Sequence, residues 1–144
     1  PAVGRALAPA LVARLGLSTT TTLGGEEKED DEARPLSYVS VGDGSVNNAH
    51  FLSALNLATY ASHKGVKCPV LFGISDNGLC ISLRDTHGWL RAFTNTLGGS
   101  GSCSGSSFGM RVERCDGRDL ASVFAATHRV AEFVRRRQAP AVLR

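Results

Sequence analysis

No apolar run in this 144-residue chain approaches the roughly 20 residues that span a bilayer, so no membrane partner is expected of it. Aromatic residues are few, at 6% with one tryptophan, and none interleaves the basic triplet Arg135-Arg136-Arg137. With a net charge of only +3, that scarcity argues against a nucleic-acid partner. The four cysteines (Cys68, Cys80, Cys103, Cys115) form no Cys-x-x-Cys pair and have no histidine at zinc-site spacing. They read as reduced, partly buried thiols of a cytosolic or matrix compartment. The glycine-serine tract at 98–109 lacks the lysine of a phosphate-binding P-loop and reads as a flexible excursion. What remains is an ordinary globular composition, 42% hydrophobic and 20% charged, long enough for one domain over 1–144 with one core.

Strands and helices alternate along the chain. Residues 1–17 carry Val3, Leu7, Ala10, Leu11 and Leu15 at helical spacing, which favours a buried helix over the alternative, a targeting segment with Arg5, Arg14 and no acid. Residues 18–35 are acid-rich and predict a surface loop. A short apolar strand at 36–41 ends at Gly42-Asp43-Gly44. Asn47 or Asn48 then caps a helix over 49–64, which Gly65 stops. A buried strand at 70–74 leads into a polar loop over 75–88, and 89–93 predicts a short helix with Trp89 anchored in the core or at a subunit contact. A strand at 110–114, a helix over about 119–137 and a strand from 140 complete the pattern. This order implies an α/β fold, an open, mostly parallel sheet with helices on both faces.

The most informative feature is that Gly42-Asp43-Gly44 and Asp76-Asn77-Gly78 each end an apolar strand, one crossover apart. Either triplet alone is a common turn. At the carboxyl ends of neighbouring parallel strands, where such folds bind ligands, they can hold a metal-bridged diphosphate. Mg²⁺ takes about six oxygens. Asp43 offers a charged one, the Asn77 amide a neutral one, a peptide carbonyl near Leu79 a third, and diphosphate the rest. Gly42 and Gly44 let the backbone approach the phosphate, and the helix beginning near Asn47 presents N–H groups. His50 and His87 lie at the edge of this region. His87 is a candidate for substrate contact, against the ordinary reading of a loop histidine.

The segments Ser45-Val46-Asn47-Asn48-Ala49-His50, Leu71-Phe72-Gly73-Ile74-Ser75-Asp76-Asn77-Gly78-Leu79-Cys80 and Asp116-Gly117-Arg118-Asp119-Leu120 resemble a known family. It is the thiamine diphosphate-dependent decarboxylating component of 2-oxo acid dehydrogenase complexes, specifically its alpha subunit or the alpha-like half of a fused chain. The resemblance covers nearly all the chain outside 18–35 and the glycine-serine tract. It implies a thiamine diphosphate-binding fold, with Asp43, Asn77 and the Leu79 carbonyl on Mg²⁺ and Gly42, Gly44 and Ser45 on the cofactor. It further implies oxidative decarboxylation of a 2-oxo acid, acyl transfer to lipoamide, a beta-type partner carrying the activating glutamate, a lipoyl-bearing acyltransferase and an oligomer. The location would be the mitochondrial matrix in a eukaryote and the cytoplasm in a bacterium. By the same likeness the chain begins inside the alpha domain and stops before its histidine-bearing loop. The fold is then expected to be incomplete at its N-terminus and the chain alone inactive. Two other readings stand beside it: a transketolase-like or acetolactate-synthase-like enzyme, and a truncated, non-catalytic paralogue acting in assembly.

Overall fold

In the computed structural model, which describes residues 1–16, 34–80, 83–84, 87–98 and 110–144, the strand Val70–Ser75 is buried at five consecutive positions. A strand covered on both faces demands such a run. Around it, in chain order, are α1 (Ala2–Arg14), β1 (Ser37–Gly42), a 3-10 turn (Asp43–Asn47), α2 (Ala49–His63), β2 (Val70–Ser75), β3 (Leu79–Cys80), β4 (Leu83–Arg84), α3 (Trp89–Gly98), β5 (Arg111–Glu113), α4 (Leu120–Arg137) and β6 (Ala141–Leu143). Four strands form one parallel sheet in the order β1-β2-β6-β5, and β3 and β4 form a small antiparallel pair.

Alternation along β2 sends its side chains to two layers. Val70, Phe72 and Ile74 join Val3, Ala6 and Leu7 of α1, Phe51, Leu55 and Ala58 of α2, and Leu90 and Leu97 of α3. Phe51 meets Phe72 edge-on, with ring centroids 5.7 Å apart. On the opposite face Leu71 and Ala141 receive Val130 and Val134 of α4. Helices therefore cover both faces of an open parallel sheet, as the alternation implied.

The helix ends follow local chemistry. Asn48, not Asn47, caps α2: its side chain accepts from the His50 N–H at 2.8 Å. Gly65 leaves the helix at φ +67°. Asp119 caps α4 through the Ala121 N–H at 3.0 Å, and Asp116 turns the chain just before it through the Arg118 N–H. Four readings change. The helix at 89–93 continues to Gly98, and its buried residues are Leu90, Thr94 and Leu97. Trp89 is not a core anchor; it is 46% exposed and stacks on Phe93 at 5.2 Å. The polar stretch 75–88 contains the β3–β4 pair. In α1, Val3, Ala6 and Leu7 form the buried face, whereas Leu11 and Leu15 are exposed. The acidic stretch 18–35, but for residues 34–35, and the glycine-serine tract 98–109, but for Gly98, lie outside the described residues.

Candidate functional site

Parallel pairing of β1 with β2 places Gly42 opposite Ser75, so the chain leaves both strands side by side. Asp43 follows one strand and Asp76-Asn77-Gly78 the other. The two turns are tied through a single peptide N–H. That of Leu79 donates to Asn77 Oδ1 at 2.8 Å and to Asp43 Oδ2 at 3.2 Å. The other carboxylate oxygen of Asp43 accepts from Gly44 N–H at 2.8 Å. Asp76 is engaged elsewhere: one oxygen accepts from Gly78 N–H at 3.0 Å, and the other pairs with Arg144, whose Nε stands 2.8 Å away.

Gly42, Asp43, Gly44, Ser45 and Leu79 line one cavity of about 880 Å³, with Val39, Phe72 and Ala54 in its apolar wall and His50 among its polar groups. Asn77 lines a second cavity, of about 1080 Å³, with Tyr38, Asp76, Arg91, Arg114 and Arg144. Asp43 and Leu79 thus line one cavity and Asn77 the other, with the hydrogen bonds of the Leu79 N–H joining them. His87 is exposed in the turn before α3 and lines neither cavity. The helix terminus also differs from expectation. A 3-10 turn intervenes before α2, and one N–H of the first turn of α2, that of His50, is taken by Asn48.

The two glycines of the first turn occupy different surroundings. A Cβ at Gly42 would meet nothing within 4 Å, whereas one at Gly44 would lie 2.0 Å from Cys80 Sγ. Sequence reasoning treated Cys80 as a bland thiol, yet it packs on this turn and lines the same cavity. Its place directly after Leu79 was the available signal. Cys68 is a different kind of thiol: burial pushes it up to about 11, so it stays protonated at neutral pH.

Among the described residues no three His, Cys, Asp or Glu side chains cluster as a metal site. What the bridge offers is one carboxylate and one amide oxygen. A carboxylate has about four lone-pair positions, so both Asp43 oxygens can accept an N–H and still face a cation. An all-oxygen set with a single charge suits a hard divalent ion that draws its remaining ligands from a phosphate-bearing molecule. By that test the residues present fit Mg²⁺ with a diphosphate.

Comparison with known proteins follows the same line. The family model described as "Dehydrogenase E1 component" matches residues 10–144. A curated relative from Caenorhabditis elegans, "2-oxoisovalerate dehydrogenase subunit alpha, mitochondrial", is 29% identical over 101 residues, which are 69% of this chain and 20% of that protein. The match therefore spans about a fifth of the relative's length.

Proposed function

The chain belongs to the dehydrogenase E1 component family, and from that premise we propose that it supplies the alpha-type, metal–diphosphate part of a thiamine diphosphate-dependent 2-oxo acid dehydrogenase. The observation that carries this reading is the convergence of Asp43 Oδ2 and Asn77 Oδ1 on the Leu79 N–H. Two turns from different strands are thereby fixed with their oxygens around one point. In this reading Asp43, Asn77 and the Leu79 carbonyl hold Mg²⁺, and the backbone from Gly42 to Ser45 faces the diphosphate. The hydrogen bonds from Gly44 and Leu79 orient the Asp43 carboxylate before any ion arrives, which lowers the cost of ordering it on binding. The apolar wall of Val39, Phe72 and Ala54 would shield one side of a ligand in this cavity from water.

Bound in this way, thiamine diphosphate supplies the electron sink for decarboxylation of a 2-oxo acid. Acyl transfer to lipoamide follows from the family reading, with a lipoyl-bearing acyltransferase as acceptor and a beta-type partner completing the active centre. The 2-oxoisovalerate named for the nematode relative is one member of that substrate class. The same name supports a mitochondrial location for a eukaryotic chain. The family match favours this over a transketolase-like or acetolactate-synthase-like enzyme.

The test is titration calorimetry of thiamine diphosphate into the chain with and without Mg²⁺, for wild type and Asp43→Ala. Saturable, Mg²⁺-dependent binding that the substitution abolishes is expected. A folded wild-type chain that binds nothing would favour the non-catalytic assembly reading.

A further inference from the structure

The strand β3 lies against the 3-10 turn that carries Asp43, and two contacts join them. One is the hydrogen bond from Leu79 N–H to Asp43 Oδ2, at 3.2 Å. The other is the Cys80 side chain on Gly44. A methyl group at Gly44 would stand 2.0 Å from Cys80 Sγ and 3.0 Å from Cys80 Cβ, both well inside van der Waals contact. The backbone at Gly44 has no positive φ, so alanine is not barred there by conformation. Cys80 occupies the space that a side chain at position 44 would take.

We propose that Cys80 is a positioning residue for the metal–diphosphate site, setting through its contact with Gly44 the distance between the Asp43 turn and the Leu79 backbone. The inference rests on the function proposed above and deepens it. Cys80 and Leu79 share a two-residue strand, so a displacement of one moves the other. A bulkier group at position 44 or 80 wedges β3 away from the turn and stretches the Leu79–Asp43 bond that aims the carboxylate. Sulfur is a poor ligand for a hard ion such as Mg²⁺, so the thiol acts by its volume and not by coordination.

A residue swap tests this. Gly44→Ala, Cys80→Gly, the double variant and Cys80→Ser are compared with wild type in two measurements. The first is the Mg²⁺ concentration giving half-maximal thiamine diphosphate binding, by calorimetry. The second is the melting temperature without cofactor. Gly44→Ala is expected to raise the half-saturating Mg²⁺ about tenfold and to lower the melting temperature, as overpacking does. Adding Cys80→Gly is expected to return both values close to those of Cys80→Gly alone. Cys80→Ser, nearly the same size, is expected to stay near wild type in both.

A double variant as impaired as Gly44→Ala overturns the inference, because the added methyl would then obstruct the ligand and not Cys80. So does a Gly44→Ala that behaves as wild type. If Gly44→Ala does not fold, Cys80→Val takes its place. Raised Mg²⁺ demand in Cys80→Val with Cys80→Ser unaffected supports the proposal, and equal demand in both overturns it. A wild-type chain that binds no thiamine diphosphate removes the function proposed above, while the cofactor-free melting temperatures still decide the Cys80–Gly44 contact.

Discussion

Glu113, at the end of β5, is pulled in two directions. Partial burial alone would raise its carboxyl, but hydrogen bonds and charge from Arg129 and Arg111 together outweigh it and hold the group below its ordinary value of 4.5. Arg129 approaches one oxygen to 2.7 Å and Arg111 the other to 3.1 Å. A carboxylate depressed in the folded state stabilises the fold above its unfolded value, and the contribution is lost as pH falls through the folded value. The melting temperature of wild type is therefore expected to fall on acidification below about pH 4.5 more steeply than that of Glu113→Gln. At neutral pH the variant is expected to be the less stable of the two. Parallel profiles would show that the two arginines contribute nothing to the acid limb. Asp116 is also held low, first by the Arg118 N–H, but it is exposed and adds little by comparison.

The elements carry the part of the fold that local chemistry encodes. Asn48 and Asp119 each sit one residue before a helix and cap it. Asn48 was one of two asparagines legible as a cap, whereas the last helix was read as starting at Asp119 with Asp116 as its cap or the residue before it, and Asp116 instead makes the preceding turn. Asp119→Ala is expected to cost about 1 kcal/mol, read as a shift in urea midpoint at constant slope. An unchanged midpoint would mean that water replaces the cap without loss. β2 was legible because five apolar residues in a row fit a strand buried on both faces. The β3–β4 pair was not, because two-residue strands leave no periodicity to read. Of the two places read for Trp89, the core is excluded, because size alone does not decide which residue of α3 faces the sheet; Leu90, Thr94 and Leu97 share the buried stripe. The site was legible to the extent that Gly42-Asp43-Gly44 and Asp76-Asn77-Gly78 end adjacent strands. The Cys80 contact with Gly44 and the pairing of Arg144 with Asp76 depend on distant parts of the chain meeting, and no local pattern announces them.

At the scale of the whole molecule, the sheet is not evenly covered. Tyr38 on the edge strand β1 is exposed, as are Leu120 (83%) and Phe124 (71%) at the start of α4. Exposed apolar side chains of this size near one helix end fit a partner surface, in keeping with the beta-type partner proposed above. The chain is expected to run above its 15.2 kDa mass in size-exclusion chromatography with light scattering, and Leu120→Ser with Phe124→Ser to shift it toward monomer. A wild-type monomer stable to dilution would contradict that. The central claim is that one bridge, Asp43–Leu79–Asn77, makes this molecule an alpha-type thiamine diphosphate-binding chain. Calorimetry of Mg²⁺-dependent thiamine diphosphate binding to wild type and Asp43→Ala tests it most directly. The account predicts saturable binding in wild type and none in a folded Asp43→Ala. Equal binding by the two, or none by a folded wild type, would contradict it.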